Sequence, residues 1–138
     1  LEELGLPSLA KTSGKRGLHV MVPLLPGHRH EEAVAFALKI ARAVEEVLPE
    51  VTLERTKAKR NGRLYLDCFQ NGYGKTIVAP YSPRALDGAP VSCPLRWEEV
   101  EEGLNPRDFH LRNMEARLEE VGDLFADFRA RGIRLPTL

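Results

Sequence analysis

This chain of 138 residues has very little cysteine: Cys68 and Cys93 are the only two. They have neither zinc-site spacing nor the numbers for a disulfide framework, so both are expected to be reduced packing residues. No apolar run is long enough to cross a bilayer. The amino end carries Glu2 and Glu3 and no basic flank, unlike a signal peptide. A cytoplasmic protein with no membrane partner is therefore expected. Internal repeats and low-complexity tracts are missing. So is an excess of charge, since 20 Lys+Arg face 20 Asp+Glu. The balance is uneven along the chain, however. Residues 1–84 hold 13 basic side chains against 9 acidic, and residues 85–138 hold 7 against 11. A polyanion is expected to meet the first part.

What is present suffices for one domain or a piece of one, with 43% hydrophobic residues to build a core. Leu1–Leu4 reads as the last turn of a helix closed by Gly5, as if cut from something longer. "GLHVMVPLL" reads as a buried strand ended by Pro26-Gly27. "HEEAVAFALKIARAVEEVL" is an amphipathic helix with Val34, Ala37, Leu38, Ala41, Val44 and Leu48 on its apolar stripe. "RLYLDCF" and "KTIVAPY" read as strands of a hairpin turned at Asn71-Gly72. Pro83 to Pro94 reads as a proline-rich loop, and "LRWEEVEEGL" as a short helix or turn. A last helix is expected near 114–131, with Met114, Leu118, Val121, Phe125 and Phe128 on one face. The fold class is α/β (α+β type), with a mixed, partly antiparallel sheet and flanking helices.

Three stretches hold chemistry-bearing residues. "TSGKRGLHV" places Ser13, Gly14, Lys15, Arg16, Gly17 and His19 at the mouth of a strand. Close backbone approach, a hydroxyl and cations suit a phosphate. The same pattern also fits an ordinary basic turn with His19 as a hydrogen-bonded core histidine. Asp67 lies between Leu66 and Cys68 in an apolar run, where burial is costly unless the carboxylate is paired or bound to a metal. It fits a hard cation such as Mg²⁺ or Mn²⁺, and equally a strand-end aspartate capping the next turn. "NGYGKT" ends like a P-loop, but Phe69 stands where that motif needs its first glycine, so it is rejected. His28, His30 and Glu31 form a polar helix start, Asp123 and Asp127 a solvated helix side, and Glu98, Glu99, Glu101 and Glu102 an acidic surface.

Five ordered blocks, "KTSGKRGLHVMVPL", "LDCFQN", "GKTIVAPYSPRA", "GAPVSCPLRWEEV" and "NPRDFHLRNMEARL", are together specific. Over nearly the whole chain they resemble the polymerase domain of bacterial ligase D, a branch of the archaeo-eukaryotic primase superfamily. The resemblance implies a primase-polymerase-like fold and nucleotide addition to DNA ends in repair of the non-homologous end joining type. It implies that Ser13, Lys15 and His19 contact the triphosphate of an incoming nucleotide, that Gln70 and Arg84 add nucleotide contacts, and that Asp67 is a catalytic metal ligand for Mg²⁺ or Mn²⁺. No organic cofactor is implied. Cys68 stands where the family usually has an aromatic, and Cys93 where threonine is common.

The family's pair of aspartates separated by one residue is absent from this sequence. The expectation is a carboxy-terminal half of the domain, incomplete and inactive alone, with DNA ends and nucleoside triphosphates as partners; it is either a fragment of a longer protein or a split gene product completed by a chain carrying the missing half. Exposed sheet edges make self-association an expectation too. The alternative is a non-catalytic nucleic-acid-binding remnant or partner subunit on the same fold.

Overall fold

A computed structural model of the chain describes residues 1–136. They form two compact units. The first comprises Leu1–Leu25 and Val78–Ile133; the second comprises Pro26–Ile77 with the residues from Arg134.

The first unit is built on a three-stranded antiparallel sheet in the order β2-β1-β5, with β1 Leu9–Thr12, β2 Leu18–Met21 and β5 Pro94–Leu95. β1 is the central strand and all four of its residues are buried. The sequence reading assigned no strand there, because Lys11 breaks the apolar pattern. β2 is shorter than expected and is an edge strand: Leu18 and Val20 are exposed while His19 and Met21 turn inward. A strand covered on one side only shows this alternation.

The expected proline-rich loop is corrected most sharply. Its end, Val91 to Leu95, is completely buried and carries the core with Ala10 and Met114. Its backbone is paired throughout. Val91 N donates to Phe109 O at 2.8 Å, Ser92 N to Ser82 O at 3.0 Å, and Cys93 N to Thr12 Oγ1 at 2.9 Å. Cys93 and Cys68 are free and buried, as packing residues.

The expected last helix is two: α2, Met114–Val121, and α3, Leu124–Arg129. Gly122, at φ +72°, ends α2, and the Asp123 carboxylate caps α3 through Phe125 N at 3.0 Å and Ala126 N at 3.2 Å. Asp123 also accepts the Tyr81 hydroxyl at 2.9 Å, so it is a structural residue and not a bystander on a solvated helix side. Arg117 of α2 clamps Glu99 through two 2.7 Å bonds and reaches Pro94 O at 3.0 Å, which ties α2 to β5.

The second unit holds α1, His30–Val47, close to its expected bounds, and a two-stranded parallel sheet of β3, Val51–Thr52, and β4, Leu64–Tyr65. Glu45 of α1 accepts from Thr52 Oγ1 and Leu53 N, both at 2.9 Å. The expected hairpin at Asn71-Gly72 does not form. Leu64 pairs back to residue 51, residues 69–71 make a 3-10 turn, and no strand follows at 75–81. Asn71-Gly72 signalled a turn correctly, but the turn leads into irregular chain.

Asp123→Ala removes the α3 cap and is expected to cost about 0.5–2 kcal/mol in urea unfolding of the chain.

Candidate functional site

The register of β1 and β2 places Lys11 opposite His19 and Thr12 opposite Leu18, so Ser13–Gly17 is the loop of a β-hairpin. That loop is closed by its own bonds. Ser13 N donates to Gly17 O at 2.8 Å, while Ser13 Oγ accepts from Lys15 N at 3.2 Å and Gly17 N at 3.1 Å. Two amides that the sequence suggested for a phosphate are therefore turned inward. Among the described residues, the Ser13 hydroxyl proton and the Gly14 and Arg16 amides have no acceptor.

Gly14 sits at φ +68°, a conformation costly for other residues. A Cβ there would also stand 2.6 Å from Arg84 Cγ and 3.2 Å from Ser92 N. Arg84 thus lies directly against the loop. Its own backbone is fixed by a 2.8 Å bond from Arg84 N to Pro90 O. Gly17 has neither a positive φ nor any atom within 4 Å of a virtual Cβ, so space does not demand glycine there. Lys15 and Arg16 are exposed.

Beneath the loop is a residue the sequence reading missed. Lys11 is fully buried, and its ammonium meets His19 Nδ1 at 2.9 Å, Val78 O at 2.9 Å and Ser92 Oγ at 2.6 Å. Burial, and then the Arg84 guanidinium, push the Lys11 amine down to about 8 from 10.5. The His19 imidazole is held below its ordinary value by burial first, then by Lys11 and Arg84. The signal that could have found Lys11 was geometric. A five-residue loop between strands sets Lys11 across from His19, but only once "LAKT" is read as a strand.

The ion pairs of the described residues include His28–Glu32, Arg29–Glu32 and Arg117–Glu99. None neutralises Lys11, Lys15, Arg16 or Arg84. Four cationic side chains and one imidazole thus belong to the same hairpin and its flank without a carboxylate partner among the described residues. Such a cluster favours an anion.

Asp67 and Gln70 belong to the second unit. Asp67 is exposed rather than buried in an apolar strand, because β4 ends at Tyr65. Its Oδ1 accepts from Phe69 N at 3.1 Å, the turn-capping role that the sequence left open. Gln70 is exposed on the 3-10 turn and donates its side-chain amide to Thr76 O. Among the described residues no three His, Cys, Asp or Glu side chains converge. Asp67 is an oxygen donor suited to a hard cation, but one carboxylate does not fit a pair of ions, so these residues define no reaction step through metal.

Comparison with known proteins gives the class first. The fold is that of primase-polymerase domains. The chain matches, with a TM-score of 0.85 and 30% identity, the polymerase domain of Mycobacterium tuberculosis ligase D solved in complex with DNA, over 96% of this chain and 46% of that one. The family model described as "LigD, primase-polymerase domain" matches residues 1–125. The chain belongs to the LigD primase-polymerase domain family. It is 38% identical over 133 residues to the multifunctional non-homologous end joining protein LigD of Mycolicibacterium smegmatis, covering 94% of this chain and 17% of that protein. It is 37% identical over 130 residues to the bifunctional non-homologous end joining protein LigD of Bacillus subtilis, covering 93% and 21%. No helix among the described residues is long and apolar enough to cross a membrane.

Two predictions follow from the buried amine and the loop glycine. Between about pH 8 and 10.5 the unfolded chain binds more protons at Lys11 than the folded chain does, so this group makes the fold more stable as pH rises through that window. Urea unfolding across the window should show that gain in the parent and its loss in Lys11→Met. Gly14→Ala should cost roughly 1–3 kcal/mol by the same assay, since it combines a strained φ with a close contact.

Proposed function

We propose that this chain is the nucleotide-holding part of a DNA-end-repair polymerase of the non-homologous end joining type. The carrying observation is the unpaired cationic cluster around the Ser13–Gly17 hairpin. Lys15 and Arg16 stand exposed above it, Arg84 lies against Gly14, and no carboxylate among the described residues neutralises them. That arrangement suits the triphosphate of an incoming nucleotide better than a neutral ligand. Ser13 Oγ supplies a hydroxyl donor, since it already accepts two amides and keeps its proton. Family membership supports DNA ends as the second substrate, and the solved relative carries DNA.

Nucleotidyl transfer through two metal ions needs carboxylates on both. Asp67 supplies one, with Mg²⁺ or Mn²⁺ as the fitting ion, and the sequence has no aspartate pair separated by one residue. We therefore place the catalytic form together with a segment that carries that pair, upstream in a longer protein or on a separate chain, beside which Asp67 would be the third carboxylate and Gln70 a further nucleotide contact. β2 is an edge strand, and its outer face exposes Leu18 at 40% and Val20 at 55%; both features favour association with that segment or with a second copy.

Lys15→Ala should weaken binding of a nucleoside triphosphate to the 138-residue chain by the roughly 1.5–3 kcal/mol of one hydrogen bond to a charged group. Parent binding should also fall as salt is added. Titration calorimetry in which both proteins bind alike would sink the phosphate-cradle reading. Alone, the chain should not extend a DNA primer with Mg²⁺ or Mn²⁺. With a chain carrying the aspartate pair it should add nucleotides to DNA ends, and Asp67→Ala should abolish the addition. DNA binding that persists while no addition occurs in the reconstituted assembly would favour a non-catalytic binding module.

A further inference from the structure

The three partners of the Lys11 ammonium fix where protons lie. An ammonium donates three hydrogen bonds and accepts none. Val78 O can only accept, and it stands 2.9 Å from Nζ. Ser92 Oγ gives its own proton to Thr12 O at 2.7 Å, so at 2.6 Å it accepts from Lys11. The third ammonium proton is left for His19 Nδ1 at 2.9 Å. That nitrogen must offer a lone pair, so the single proton of a neutral ring sits on Nε2.

We propose that Lys11 is a positioning residue that holds His19 as the neutral Nε2–H tautomer, presenting one ring N–H donor to a bound phosphate oxygen. The inference rests on the phosphate reading of the hairpin and adds how its imidazole is prepared. A second ring proton would have to enter at Nδ1, against an ammonium proton. The charged groups acting on the ring are Lys11 and Arg84, both cations, and burial adds to their effect. The site's positive charge then comes from Lys15, Arg16 and Arg84, and His19 contributes direction instead of charge. Orientation by a hydrogen bond to the far ring nitrogen is a general way to select a histidine tautomer.

The test begins with the unaltered 138-residue chain. Long-range proton–nitrogen correlation spectra at pH 7, with His19 assigned by comparison with His19→Gln, should show an unprotonated Nδ1 and a protonated Nε2. The ring should titrate below the ordinary value of about 6.5. A protonated Nδ1 in the parent would overturn the proposal, whatever any variant does. In Lys11→Met the titration should move up toward the ordinary value, and an unmoved titration in a folded Lys11→Met would also overturn it. Inorganic tripolyphosphate serves as the binding probe. Lys11→Met should weaken it about tenfold, the scale of one charge-assisted contact, and should add little in a His19→Gln background. Equal losses in both backgrounds would show Lys11 acting by charge alone and defeat the coupling. If His19 has the stated tautomer but His19→Gln binds tripolyphosphate like the parent, the phosphate reading of that ring fails while the proton placement stands.

Discussion

The burial of one ammonium organises the first unit. Lys11 occupies the middle of the central strand, where an unpaired charge would cost several kcal/mol. Its cost is offset because three acceptors converge on it from three segments: β2 through His19, the chain entering at Val78, and the run before β5 through Ser92. Ser92 and Thr12 then pair with each other's surroundings. Ser92 Oγ donates to Thr12 O at 2.7 Å, and Thr12 Oγ1 donates to Val91 O at 2.8 Å while accepting from Cys93 N at 2.9 Å. The buried polar groups of β1 therefore form a connected network, the condition under which buried polarity rigidifies a core instead of weakening it.

The same network sets the electrostatics of the hairpin. Arg84 lies against Gly14 and depresses both Lys11 and His19, so the cations on this flank repel one another in the free protein. An anion relieves that repulsion. The loop is closed by its own hydrogen bonds, so less of the energy of a bound phosphate is spent on ordering it.

The legible parts of the fold were those where local pattern and tertiary role agree. α1 could be read because its apolar stripe and the following Pro49 both act locally, and the mixed α/β class followed from such segments. The partial reversal at 114–129 came from a local device, the Gly122-Asp123 stop and restart, hidden inside a continuous apolar stripe. β1 was illegible because its lysine is buried by partners 67 and 81 residues away, which no local pattern shows. For the same reason the buried run 91–95 looked like loop: Pro90 and Pro94 flank backbone whose partners come from Phe109, Ser82 and Thr12. In the candidate site, the ordered blocks put Ser13, His19 and Arg84 forward and the structure places all three at or against one hairpin, whereas the inward turn of the loop amides and the exposure of Asp67 were matters of geometry.

The spread of Lys11's partners also bears on how the chain folds. The contact with His19 spans 8 residues and forms within the β1–β2 hairpin, while the remaining two acceptors arrive only with the distant segments around 78 and 92. Until then the ammonium keeps its water. Docking of β5 onto β1 strips that water, and a half-docked strand would leave the charge dry with acceptors missing. Partial docking is thus penalised, which favours closure of the sheet as a single cooperative step.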